Sequence, residues 1–196
     1  MSRATAFECF DLRTITPQPW KNGAGLTREI AFGGPSAAEF DWRVSVAEVA
    51  HDAPFSAFPG IDRCITLLQG AGMRLRADNE SLDHTLGTPL APFCFSGEVP
   101  LTATLLGGAC SDFNVMTRRG RCRSEVDILR GAAELRAADV VLLLCCAGAW
   151  AVGTETLRPM QGVVWRVRPE AIGVRPVDDH DAATLLAVRL CHDRAP

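Results

Sequence analysis

The chain has 196 residues, 47% of them hydrophobic, and a formal net charge of −3. That composition suits a soluble globular protein of one domain or two small fused ones, burying about 70% of the surface its unfolded chain exposes. The acidic balance argues against nucleic acid as a partner, which needs a basic face, and no apolar run approaches the ~20 residues that cross a bilayer.

Phe7 to Ile15 reads as a first extended segment, and Pro17 and Pro19 break any helix after it. The next stretch, Pro19-Trp20-Lys21-Asn22-Gly23-Ala24-Gly25-Leu26-Thr27-Arg28-Glu29-Ile30, runs from a bulky aromatic through a glycine-opened turn into a strand over Thr27 to Phe32. Asn-Gly ahead of a strand is a turn signal. The third glycine of a nucleotide fingerprint is missing, and a strand follows where a helix N-terminus is required, which argues against a phosphate loop. Lys21, Asn22, Thr27, Arg28 and Glu29 surround the turn with donors and acceptors.

Phe40 to Val49 is the clearest strand, with Phe40, Trp42, Val44 and Val46 on one face and Asp41, Arg43 and Ser45 on the other. Pro54 to Gly60 is an aromatic loop. Cys64 to Gln69 and Met73 to Ala77 form two strands about the turn Gly70-Ala71-Gly72. Phe93 to Phe95, Leu101 to Leu106 and Asp112 to Thr117 continue the series. Arg118, Arg119, Arg121 and Arg123 form a basic run, read as a solvated turn between halves. Glu125 to Ala137, alanine-rich and free of proline, is expected to be partly helical. Val140 to Cys146, Trp150 to Val152, Val163 to Val167 and Thr184 to Leu190 complete a β-rich second half. Many short strands between glycine and proline turns predict an all-β sandwich or barrel.

Eight scattered cysteines include no C-x-x-C pair, and no signal segment opens the chain. The expectation is a cytoplasmic protein with reduced thiols acting as small buried hydrophobes. His51, His84, His180 and His192 show no ligand spacing, so no metal is expected. There is no G-x-S-x-G, and neither Ser45 nor Ser56 has a histidine anchored near it, so no catalytic nucleophile is assigned. A binding constellation is better supported. Asp41, Arg43 and Ser45 share a strand face, Phe55 to Arg63 forms a stiff aromatic loop, and Asp112, Asn114, Met116 and Arg118 share the face of a later strand. Inside a β-structure such groups either satisfy one another or bind something; the residues alone leave both readings open.

Trp20 to Ile30, Phe40-Asp41-Trp42-Arg43-Val44-Ser45 and Phe55-Ser56-Ala57-Phe58-Pro59-Gly60-Ile61-Asp62-Arg63 together resemble the signatures of the HutD/Ves family. Leu67-Leu68-Gln69-Gly70 and Asp112 to Gly120 extend the resemblance in order. It implies a bicupin, two small antiparallel β-barrels of jelly-roll type in one chain, with residues 1–120 as the first and 121–196 as the second and terminal strands free to cross between them. It also implies modulation of histidine utilisation through an anionic pathway metabolite such as N-formylglutamate or urocanate, whereas the Ves branch is tied to stress and cold response. Metal-binding cupins carry an H-x-H pattern that this chain lacks, so neither metal nor other cofactor is expected.

The expected ligand-binding set follows. Lys21 and Arg63 would meet a carboxylate through charge-assisted hydrogen bonds. Asn22, Thr27, Ser45 and Asn114 would complete the hydrogen bonds, and Trp42, Phe55 and Phe58 would form an apolar wall. Arg43, Glu48 and Asp112 would bind or pair with one another to hold the site. The partner is then a small anionic metabolite, with neither nucleic acid nor membrane involved and the oligomeric state left open. Two rivals stand beside this reading: an enzyme acting on a small carboxylate through Glu48 or Asp112, and an interaction protein of the Ves type.

Overall fold

The computed structural model describes residues 7–166, 171–177 and 182–193. Val167, at the end of one expected strand, and His180 lie outside the described residues. Among the described residues there is no helix, so none is long and apolar enough to cross a membrane. The described residues form nineteen strands, and the chain divides into two compact units, Thr16–Cys122 and Met1–Ile15 with Arg123–Pro196.

The first unit is built from β2 (Gln18–Pro19), β3 (Gly25–Gly33), β4 (Trp42–Val49), β5 (Ala53–Phe55), β6 (Ile61–Gln69), β7 (Met73–Ala77), β8 (Asp83–Leu86), β9 (Pro92–Ser96), β10 (Leu101–Leu105) and β11 (Cys110–Arg118), after β1 (Phe7–Asp11) has gone to the other unit. A six-stranded sheet runs β2-β3-β4-β11-β6-β9 and a four-stranded sheet runs β5-β10-β7-β8. Both are open. Three of their four edge strands carry a proline, Pro19, Pro54 and Pro92, which cannot donate to a further ladder bond and so ends the pairing. The expected closed barrel is therefore two antiparallel sheets whose hydrogen-bond ladders do not join.

Apolar side chains fill one part of the space between these sheets. Val49, Ile65 and Leu67 from the larger sheet meet Met73, Leu75, Leu86, Leu101 and Ala103 from the smaller one, all buried. Each of these side chains larger than alanine contributes roughly 1.5–3 kcal/mol by leaving water. The period-2 alternation that supplies this core also sends the intervening side chains to the other face.

The second unit contains β1 with β12 (Cys122–Leu129), β13 (Ala133–Leu135), β14 (Val140–Ala147), β15 (Trp150–Val152), β16 (Glu155–Leu157), β17 (Gln161–Trp165), β18 (Ile172–Pro176) and β19 (Thr184–His192). Its sheets run β1-β17-β14-β19-β12 and β13-β18-β15-β16, enclosing Val141, Leu143, Trp150, Val163, Trp165 and Leu185. Strand β1 falls in this unit because Phe7 to Asp11 pair antiparallel with Trp165 to Gln161. The helix expected over Glu125 to Ala137 is two strands. Glu125 and Asp127, two residues apart on β12, both ion-pair with Arg189 of the neighbouring β19, Asp127 at 3.1 Å; that spacing puts both acids on one side of a strand, not of a helix.

Candidate functional site

Three rungs of the large sheet in the first unit bring the polar residues together. Arg43 pairs with Met116, which pairs with Arg63, which pairs with Phe95. Ser45 pairs with Asn114 and Asn114 with Ile65; Thr27 pairs with Ala47 and Ala47 with Asp112. Directly opposed residues share a face, so Thr27, Arg43, Ser45, Arg63, Asp112 and Asn114 all point the same way. A cavity of about 480 Å³ opens over them, and Trp20, Lys21, Asn22, Phe55, Ser56 and Phe58 close its sides.

The turn at its rim is fixed by its own chemistry. Asn22 Oδ1 accepts a hydrogen bond from the Ala24 amide at 3.1 Å, and the Trp20 amide donates to Gly25 O at 2.9 Å. Gly23 has φ 73°, a left-handed conformation that glycine takes without strain. At Gly25 a Cβ would run into the Glu48 carbonyl and the Trp20 ring. The indole Nε1 of Trp20 donates to Thr27 Oγ1 at 2.7 Å, and its ring meets Phe55 edge-on at 5.9 Å. The opposite rim, Phe58 to Gly60, is tied down by Phe58 N to Gly97 O at 2.7 Å and Gly60 N to Glu98 Oε1 at 2.7 Å.

Arg63 is the centre of this pocket. It is 7% exposed, and its guanidinium lies 5.2, 5.7 and 5.4 Å from the ring centroids of Phe55, Phe58 and Phe95. Such faces attract a cation but leave its N–H fork unspent. Its one hydrogen bond among the described residues is a long one, Nε to Asn114 Oδ1 at 3.4 Å, and it makes no ion pair. Burial brings its pKa down to about 10, with the charge of Asp112 opposing that and Arg43 adding to it; it remains a cation at neutral pH. Arg43 is neutralised by Glu29, Nε to Oε2 at 2.7 Å. Lys21 is exposed at the mouth and makes no ion pair among the described residues.

Asp112 is 1% exposed, and neither carboxylate oxygen has a hydrogen-bond partner among the described residues. Burial pushes its pKa up to about 7, against the opposing pull of Arg63. An unpaired buried acid costs stability, so this one is a half-neutralised group facing a cavity. The donor set does not fit a metal ion: a buried cation sits beside a single carboxylate, and among the described residues no imidazole lines the cavity. Among the described residues no cluster of three His, Cys, Asp or Glu side chains is arranged to hold one.

Ten of the twelve residues expected to bind a ligand line this cavity; Trp42 and Glu48 do not. Both have even positions on β4, where Arg43, Ser45 and Ala47 face the pocket, and strand parity turns them to the reverse side. Trp42 is buried there with its indole in the space a side chain at Gly33 would need, and Glu48 ion-pairs with Arg28. Of the two acids offered for an enzyme reading, only Asp112 faces the cavity. Trp20, Ser56, Met116 and Phe95 belong to the site beside the residues expected to touch a ligand. Trp20 stood inside the first motif; Phe95 carries no local signal and is recruited only by its register opposite Arg63. The basic run is spent locally, with Arg119 on Asp62 and Glu98 and Arg118 on the Phe40 carbonyl.

Comparison with known proteins agrees with the motif resemblance. The HutD family model matches residues 12–177. Protein Ves of Citrobacter koseri is 39% identical over 159 residues, 81% of this chain and 82% of that protein. The structure of HutD from Pseudomonas fluorescens SBW25, determined in a formate condition, superimposes with a TM-score of 0.84 at 29% identity, covering 97% of this chain and all of that one. An oxalate decarboxylase of Bacillus subtilis aligns at a TM-score of 0.63 over 98% of this chain and 78% of its own; at 7% identity this is a likeness of fold alone, cupin-like.

Proposed function

We propose that this chain, which belongs to the HutD family, binds a small carboxylate metabolite in the Arg63 cavity and so modulates histidine utilisation. One observation carries the reading: a buried guanidinium, backed by three aromatic faces, whose fork makes no ion pair among the described residues. Five N–H donors in a plane match a carboxylate bidentately. Lys21 adds a second positive charge at the mouth. Asn22, Thr27, Ser45 and Asn114 offer hydrogen bonds of both kinds, and Phe55 and Phe58 give the apolar wall such cavities have. N-formylglutamate and urocanate, the metabolites that the family resemblance suggests, both carry the required carboxylate. We read each unit as one cupin module, so that the site belongs to the N-terminal module of a bicupin. Isothermal titration of the purified chain with N-formylglutamate and urocanate tests the reading. Saturable heat that Arg63→Met removes supports it; no heat from either compound at millimolar concentration refutes it.

A second reading rests on Asp112, whose pKa of about 7 is that of a group able to give and take protons at neutral pH. In that reading the bound carboxylate is turned over, with Asp112 as its acid or base. Incubating the wild type and Asp112→Asn with the same two compounds, and following the proton NMR spectrum, separates the two. Chemical change with the wild type only is required for catalysis; unchanged compounds with both proteins reject it.

A further inference from the structure

Strands β6 and β9 place two cysteines directly opposite one another, Cys64 on β6 and Cys94 on β9. Antiparallel partners alternate between hydrogen-bonded pairs and closer, non-hydrogen-bonded pairs. The phase of this ladder is set at its end, where the Gly97 amide donates to Ile61 O at 2.8 Å. Counting from that hydrogen-bonded pair, Arg63 with Phe95 is again hydrogen-bonded, and Cys64 with Cys94 falls on the closer kind of site. Pro92, opposite Thr66, has the same phase as Cys94. Because β9 is the edge of its sheet, a proline there wastes no ladder bond, which supports the same phase independently. At such sites the Cα atoms approach to about 4.5 Å, inside the roughly 4.4–6.8 Å span of disulfide-bonded cysteines.

Both thiols are free. Cys64 is buried and Cys94 is exposed at the sheet edge. Their environments differ in the sense that thiol chemistry needs. A hydrogen bond from Cys64 lowers the pKa of Cys94, against burial and the nearby charge of Asp62, and the same bond together with burial raises that of Cys64. One sulfur is thus an accessible nucleophile and the other a sheltered partner beside it.

We propose that Cys64 and Cys94 are a redox-active dithiol that closes to a reversible intramolecular disulfide across β6 and β9 when the chain meets hydrogen peroxide. The Cys94 thiolate attacks one peroxide oxygen; an S–O bond forms, the O–O bond breaks, and the departing hydroxide takes a proton to leave as water. The Cys64 sulfur then displaces hydroxide from the Cys94 sulfenic acid, its own proton leaving with that hydroxide as a second water. Two thiols and one peroxide give one disulfide and two waters. The link pins the edge strand one residue from the Arg63–Phe95 pair.

The test uses the full chain, reduced and then treated with hydrogen peroxide. Intact mass is expected to fall by two hydrogens, and peptide mapping to show a single cross-link joining Cys64 to Cys94 that dithiothreitol reverses. Cys94→Ser, at an exposed position, abolishes the link, whereas Cys191→Ser leaves it. Cys64→Ser leaves a sulfenic acid on Cys94 that dimedone traps; if that buried variant does not fold, the wild type and Cys94→Ser decide the matter. At pH 7 iodoacetamide is expected to modify Cys94 roughly tenfold faster than Cys9, whose pKa is raised by burial and by Glu155. Cross-links among other cysteines, oxidation of Cys94 to the sulfinic acid without a link, or equal alkylation of Cys94 and Cys9 would overturn the proposal.

Discussion

Replacing Asp112 by asparagine keeps the shape of the side chain and removes its titration. In the folded chain Asp112 holds its proton to about pH 7, against an ordinary value of 3.8. Above pH 4 the unfolded chain has lost this proton and the folded chain has kept it. The folded state then binds more protons, and stability falls as pH rises from about 4 to about 7. Each pH unit over that window costs about 1.4 kcal/mol, so the wild type gives up about 4 kcal/mol by pH 8 through this one residue. Asp112→Asn escapes the loss. Its stability should differ little from wild type at pH 4 beyond a constant offset, and exceed it by up to about 4 kcal/mol more at pH 8. For a chain of this size that is a rise in melting temperature of roughly 8–16 °C. Thermal unfolding of both proteins from pH 4 to pH 8 reads the difference directly. A difference that stays constant with pH, or a variant that becomes the weaker protein at pH 8, would mean that Asp112 is ionised and held by Arg63, and the account of the site's electrostatics would fail.

Arg63→Met should weaken carboxylate binding by at least about tenfold, since one charge-assisted hydrogen bond is worth that much and the fork makes two, and titration calorimetry checks it. Lys21→Ala, at the exposed mouth, should cost only about two- to fivefold, with a loss that shrinks in high salt. Gly25→Ala forces a Cβ into the Glu48 carbonyl and the Trp20 ring; urea unfolding should show a loss of about 1–3 kcal/mol, the usual cost of overpacking. Glu48→Gln lies on the reverse face of its strand and should leave carboxylate affinity within about twofold of wild type in the same calorimetric assay, given the usual reach of such a contact.

Much of the site was legible because strand parity is a local property. Arg43 with Ser45, and Asp112 with Asn114, announce a shared polar face from sequence spacing alone, and the register between β4 and β11 then joins the two faces. The same rule, applied strictly, would have removed Trp42 and Glu48, which are out of phase with Arg43 on the same strand. Parity fails where a strand is irregular. On β3 the pairing shifts between Glu29 and Ala31, so residues on either side of the bulge cannot be assigned to one face by counting. Contacts that depend on register between distant segments left no local trace. Phe95 beneath Arg63 and β1 beside β17 are of this kind. The strand over Ala133–Leu135 was hidden for a different reason: Ala132, Ala133 and Ala137 favour helix weakly, and pairing beside β18 outweighs that preference.

The most direct test of the account is a crystal structure of the chain grown with N-formylglutamate or urocanate. The account predicts the carboxylate within hydrogen-bond distance of the Arg63 fork, with Asp112 facing the same ligand. Ligand density elsewhere on the protein, with the Arg63 cavity empty at saturating concentration, would contradict it.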